Sequence, residues 1–179
     1  MSHPREPDNV KLIASLFSPD KEIIDRTIGE VTDIFGPVDW ISPELFFDRT
    51  EYYAKEMGWP LHRRFVSFEE LVALERLVEI KLKTNEVERR YLREGKRLVN
   101  IDPGCISAER LILVTGKNYI HRVYLAKGIY ADLTLVFKGG SFRSLEWTYK
   151  DYSDPKMIEY FNRIRMEYMK RLKEMKRVG

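Results

Sequence analysis

Between Arg97 and Lys138 the sequence sets four strand candidates in succession: Arg97–Asn100, Arg110–Thr115, His121–Leu125 and Ile129–Lys138. No helical stretch separates them. "KGGS" at 138–141 is a hairpin turn signal, and "FRSLEW", Phe142–Trp147, returns as a further strand. In the longest run Ala131, Leu133, Leu135 and Phe137 alternate with Tyr130, Asp132, Thr134 and Lys138. That period of two predicts a sheet with one wet face. A chain carrying this block must build a mostly antiparallel sheet and cover it with helices.

The rest of the chain supplies those helices. Residues 1–9 read as a flexible lead, and Val10–Phe17 is an apolar run of strand length. Ser18 is placed as an N-cap with Pro19 in the first helical position, where its missing N–H costs nothing. Ile23, Ile24, Ile28, Val31, Ile34 and Phe35 recur at helical spacing before Gly36. "VDWISPELFF", Val38–Phe47, follows as an extended segment broken by Pro43, completing an N-terminal β-α-β or split unit. A loop to about Pro60 leads into a strand, Leu61–Phe68. Ser67 and Glu70 have capping-box spacing, which predicts a helix opening there. From Glu75 to Glu94, Leu77, Ile80, Thr84, Val87 and Tyr91 share a helical face, and Gly95 ends it. Asp154-Pro155 opens a last helix with Met157, Ile158, Phe161, Ile164, Tyr168 and Leu172 as its stripe. The expectation is α+β: a mostly antiparallel mixed sheet with about three helices packed on it, in one domain over 1–179.

Composition narrows the function classes. With 44% hydrophobic and 33% charged residues the chain can bury a core and remain soluble. No apolar run approaches the roughly 20 residues that cross a bilayer, and "MSHPREPDN" lacks the apolar core of a signal peptide. A cytoplasmic protein without membrane partners is expected. The single cysteine, Cys105, excludes an internal disulfide and a cysteine-based zinc site, and reads as a small apolar filler. A net charge of +3 does not by itself imply a nucleic-acid partner. The absence of glutamine beside abundant Lys, Arg and Glu resembles a thermophile's composition.

Several polar groups stand at or beside the apolar strand runs. "NIDPG", Asn100–Gly104, reads as a stiff turn. There Asp102 either bonds its own backbone or is held as a general base. "HRVYL" sets His121 and Arg122 at a strand start, on opposite faces, so only one of them points into a given pocket. His121 is then a satisfied edge residue or an acid/base group. Arg122 has the fork that suits phosphate or carboxylate. In "KLKTNEVE", Lys81, Thr84, Asn85 and Glu88 fall on related helix faces, either solvated, binding, or marking a kink. Two aromatic-acid clusters, "FFDRTEYYAKEMGW" and "EWTYKDY", hold Asp48, Tyr52, Tyr53, Glu56, Trp147 and Tyr149, as lids of a core or as stacking surfaces. The last helix carries seven Lys and Arg between Arg163 and Arg177, a solvated face or an RNA contact.

"TGK" at Thr115–Lys117 is no phosphate loop, because Leu111 stands where the first glycine belongs and Asn118 follows the lysine. No dinucleotide fingerprint, HExxH or GxSxG is present, and no spacing specifies a metal or a cofactor. "FGPVDWISPELFFDRTEYYAKEMG", "KTNEVE", "NIDPG", "HRVYLAKGIYADLTL" and "EWTYKDY" together resemble the prokaryotic family known as domain of unknown function 4416, from about Val10 to Tyr168. The resemblance implies a unit found alone and brings no catalytic residue. Members sometimes carry a GTP-binding label, to which "TGKN" adds nothing.

The residues themselves point to a site for a small anionic molecule, a nucleotide or sugar phosphate. Asp102 and His121 are the acid/base candidates, with Glu56 or Asp48 as a second carboxylate. Asn100, Arg122, Lys81, Thr84, Asn85, Tyr52, Tyr53, Trp147 and Tyr149 are the binding candidates. An RNA-associated module and a scaffold subunit are the alternatives.

Overall fold

The computed structural model describes residues 1, 3–46 and 53–178. Its centre is β1, Val10–Ser18, in which all nine residues are buried. The strand is covered on both faces: Leu12, Ala14 and Leu16 enter one core and Ile13 the other. Helix α1, Lys21–Phe35, starts at Asp20, whose Oδ1 accepts from the Glu22 amide at 2.9 Å. The cap is therefore Asp20, not Ser18. The Ser18 hydroxyl instead accepts from the Asp20 amide at 3.0 Å and shapes the turn before it. Gly36, at φ +97°, closes the helix by donating to Thr32 O, a backbone conformation side-chain-bearing residues rarely adopt.

Next come β2 (Val38–Ile41), β3 (Leu45–Phe46), the single turn α2 (Ala54–Met57) and β4 (His62–Val72). The expected capping box at Ser67 and Glu70 opens no helix. Both lie within β4, which pairs with β1 and with β2, and Ser67 Oγ donates across the sheet to Asp39 at 2.6 Å. Cross-strand pairing thus overrides a local helix signal. The helix begins later, after a 3-10 turn at Leu74–Arg76, as α3, Leu77–Arg90. A tight hairpin, β5 (Leu92–Arg93) and β6 (Lys96–Arg97), leads to β7 (Asn100–Ile106), β8 (Arg110–Thr115), β9 (Arg122–Ala126), β10 (Ile129–Lys138) and β11 (Ser141–Ser144). Helix α4, Pro155–Val178, completes the chain.

Among the described residues nine strands form one sheet, ordered β11-β10-β8-β7-β1-β4-β2, with β3 on β4 and β9 on β10. Every ladder is antiparallel. Because β4 lies between them and opposes both, β1 and β2 run parallel, which makes β1-α1-β2 a split β-α-β unit. Helices α1 and α3 cover one face through Ile24, Val31, Ile80 and Val87. Helix α4 covers the other through Met157, Phe161 and Ile164. This is the expected α+β arrangement. Among the described residues no helix is long and apolar enough to cross a membrane.

Two departures from the sequence reading create the site. "NIDPG" is not a turn but the first part of central strand β7. Its residues Asn100–Gly104 pair with β1, yet β8 joins β7 only from Gly104 onward. Pro103 has no N–H to offer a second neighbour. Gly104 marks the junction, because a Cβ there would sit 2.4 Å from Ile112 O. Upstream of it β8 diverges, leaving a notch in the sheet. In β10, a register shift between Leu133 and Leu135 reverses the expected alternation. Asp132 and Thr134 are buried, while Ala131 and Leu133 are half-buried.

Candidate functional site

A cavity of about 800 Å³ occupies the notch, within the size range of small-molecule sites. Its walls come from β7, β8, α3 and the segment 147–152. Six cationic and four acidic side chains line it.

The notch leaves the Ile101 backbone without a β8 partner, and α3 takes the strand's place. Lys81 Nζ donates to Ile101 O at 2.8 Å, and Glu88 Oε1 accepts from the Ile101 amide at 2.8 Å. Lys81, Thr84 and Glu88 are buried, so of the alternatives the solvated face fails for them. Thr84 donates to Lys81 O at 2.9 Å and lies behind the cavity wall. Asn85, half-buried, reaches the cavity. Arg97 then ties the wall to its surroundings. It forms two bonds to Glu56, at 2.7 and 2.9 Å, and others to Glu88 and Asn100 Oδ1. Those hydrogen bonds hold the Glu56 carboxyl below its ordinary pKa. Glu56 is therefore an anchor for Arg97, one layer back from the cavity.

Opposite stands Asp132, 3% exposed and missed by the sequence reading. Its Oδ2 accepts from Arg122 Nε at 2.8 Å and lies 3.2 Å from His121 Nε2. Both neighbours reach the same carboxylate because His121 sits in the turn before β9, where strand alternation does not apply. Burial works against the Arg122 charge, but bonds to Asp132 and to the Tyr149 hydroxyl outweigh it and raise its pKa. His121 does not line the cavity. Its ring stacks on Trp147 at 4.9 Å, and its Nδ1 is buried with no hydrogen-bond partner. Trp147 in turn donates to Leu133 O at 2.7 Å, and Thr148 to Thr134 O at 2.6 Å, which fastens the 147–152 segment to β10.

The inner end gathers around Asp102. Its register partner on β1 is Ser15, and Asn100 Nδ2 donates to Asp102 Oδ2 at 2.8 Å. Among the described residues Asp102 makes no ion pair. Arg63, 4% exposed, lies over the rings of Phe17 and Phe65 and pairs with Asp151. Burial pulls its pKa down. Tyr152 is wedged between Phe65 and Phe161, and burial pushes its hydroxyl pKa up. That hydroxyl and Ser15 Oγ are close enough to influence each other, but neither makes an aligned hydrogen bond. Tyr53 also faces the cavity, its pKa raised by burial and then by Asp102.

The structure thus brings Asn100, Asp102, Lys81, Asn85, Arg122, Tyr53, Trp147 and Tyr149 to one cavity. Glu56, Thr84 and His121 stand behind its walls, and Asp48 and Tyr52 lie outside the described residues. Sequence reasoning missed Arg63, Arg97, Lys117 and Asp132, and quoted Asp151 only as part of "EWTYKDY". Only Asp132 carried a signal, as the lone charge in the apolar run "IYADLTLVF". Among the described residues no cluster of three or more His, Cys, Asp or Glu could hold a metal ion. The α4 cations turn largely to the protein itself: Arg165 donates to Ala108 O and lies over Phe137, Arg171 bonds Glu69 O, and Lys176 pairs with Asp8.

No curated protein and no solved structure matches this chain. A family model does match, over residues 8–168, which takes in every wall of the cavity. The chain therefore belongs to the family described as domain of unknown function (DUF4416).

Proposed function

We propose that the notch between β7 and β8 holds a small anionic molecule carrying a ring, of the nucleotide or sugar phosphate kind, and that Asp102 exchanges a proton with it. The observation that carries this reading is the cavity itself: about 800 Å³, six cations against four acids, with Tyr53, Trp147 and Tyr149 at its walls. Excess positive charge in a walled cleft attracts anions, and aromatic rings give a flat surface to a ligand ring. Asp102 has the freedom an acid/base group requires, since the hydrogen bond its carboxylate accepts comes from the neutral Asn100 amide. Hydrolysis or group transfer is the chemistry such a carboxylate serves. His121 and Asp132 act on this reading by positioning Trp147 and Arg122.

The test is a titration with nucleotides and sugar phosphates, followed by the fluorescence of Trp147, with Trp147→Phe as the blank. Saturable quenching that weakens with added salt is expected. Asp102→Asn retains binding and loses turnover. If no ligand in the panel gives saturable binding, the reading fails.

One further observation favours assembly. Ile120, Val123 and Tyr124 are 93%, 67% and 58% exposed on or beside strand β9, an apolar patch on a sheet edge. Self-association that disappears in Val123→Lys would support a subunit role. A monomer at all concentrations would remove it.

A further inference from the structure

The wall formed by residues 147–149 meets the cavity with ring faces rather than with free polar atoms. Trp147 lines the cavity and stays 37% exposed, yet its indole is held rigidly. Its Nε1 donates to Leu133 O at 2.7 Å. One face is covered by the His121 imidazole, 4.9 Å away and 10° from parallel, and His121 is itself held beside Asp132. Among the described residues no second ring stacks on Trp147, so the opposite face is open.

The hydrogen-bonding atoms of this wall are already engaged by the protein. Trp147 has a single donor, and Leu133 takes it. Thr148 Oγ1 donates to Thr134 O and accepts from the Leu145 amide. The Tyr149 hydroxyl accepts from Arg122 Nη2. Such a wall offers little to the several hydroxyls of a sugar, each of which must regain a hydrogen bond on leaving water. It suits a flat ring recognised by its face. A heterocyclic ring also brings polar groups on its edge, and the α3 wall carries a counterpart. The Asn85 amide lines the cavity, makes no hydrogen bond among the described residues, and holds a donor and an acceptor side by side.

We infer that the ligand is a purine nucleotide whose base stacks on the open face of Trp147, so that imidazole, indole and base form one column. The two-ring indole matches a two-ring base in area better than it matches a pyrimidine. Because the indole is fixed beforehand, stacking on it costs no ordering of that side chain. This rests on the anionic-ligand reading above and adds to it the substrate class and the seat of its ring.

Calorimetric titration of the full chain with adenosine, guanosine and uridine monophosphates, ribose 5-phosphate and inorganic phosphate tests it. At least one purine monophosphate is expected to bind about ten-fold or more tightly than ribose 5-phosphate, the effect of one base on one aromatic ring. Uridine monophosphate should bind more weakly than that purine nucleotide. Trp147→Leu should erase the gap between purine nucleotide and ribose 5-phosphate while leaving ribose 5-phosphate affinity within about two-fold. Trp147→Phe, which keeps an aromatic face, should retain part of the gap. Melting temperatures report whether both variants fold, and if Trp147→Leu does not, the unaltered chain and Trp147→Phe decide. If ribose 5-phosphate binds as tightly as both purine nucleotides, the inference is overturned and the anionic site stands. A purine preference that survives Trp147→Leu also overturns it, since the base then sits elsewhere. Equal binding of uridine monophosphate overturns the purine assignment. If no anion binds, both readings fall together.

Discussion

Gly104→Ala is the sharpest test of how the notch is built. A Cβ at this position would meet Ile112 O at 2.4 Å and Leu113 Cδ2 at 2.8 Å. The leucine methyl can rotate aside, but the carbonyl belongs to β8 and cannot move without its strand. The substitution therefore pushes β8 away at the junction and strains the three register pairs that close the sheet, Gly104–Leu113, Cys105–Ile112 and Ile106–Leu111. Overpacking against side chains costs about 1–3 kcal/mol, and a backbone obstacle belongs at the top of that range. At about 3 kcal/mol a domain of this size loses roughly 6–12 °C in melting temperature. Urea unfolding followed by circular dichroism gives the free energy directly. Gly116→Ala, where a Cβ meets nothing within 4 Å, serves as the control and should stay within about 0.5 kcal/mol. If Gly104→Ala is as neutral as the control, β8 does not pass as close as described and the account of the notch is wrong.

Three further outcomes are expected. Asp132→Asn leaves the Arg122 guanidinium buried without its counter-charge and should lower stability by about 3 kcal/mol, read from the urea midpoint at unchanged slope; an unchanged midpoint would refute the pairing. Glu88→Ala removes the acceptor for the Ile101 amide, so hydrogen exchange at Ile101 should accelerate more than at Leu16, its partner on β1; equal acceleration would mean that α3 does not substitute for a strand. Burial pushes the Cys105 thiol from its ordinary 9.0 up to about 12. Its folded pKa exceeds the unfolded one, so the unfolded chain releases this proton first, and stability is lost as pH rises from about 9 to about 12. The alkaline slope of stability should be shallower in Cys105→Ala, and the native thiol should resist a thiol reagent until the chain unfolds; early reaction would contradict the burial.

Periodicity made the periphery of this fold legible. Helices α1 and α4 follow from apolar stripes that face one cover each, and β1 from an unbroken apolar run that needs two. The errors occur where a residue's environment is set by a distant partner. Ser67 and Glu70 have helix-opening spacing, yet β1 and β2 claim the segment from both sides. The bulge after Leu133 breaks the period of two, so that Asp132 and Leu135, three residues apart, are both buried. Arg63 and Arg97 gave no signal, because their partners Asp151 and Glu56 are 88 and 41 residues away.

The misread turn explains why the site was partly foreseen for an incomplete reason. Asp-Pro-Gly signals that the chain departs from regular two-sided pairing, and a turn is only the commonest way to do so. Here β7 continues straight and its neighbour departs. Pro103 offers no N–H, Gly104 admits the β8 backbone, and between them they fix where pairing starts. The exposed backbone of Ile101 then requires partners from outside the sheet, which accounts for a buried lysine and a buried glutamate on α3. Those charges require counter-charges, and Arg97 and Glu56 follow. A single interruption of strand pairing thus draws the polar residues of distant segments to one place. Lys81, Glu88 and Arg97 are there first because the open sheet needs them; Asp102 lines the same cavity without satisfying that backbone.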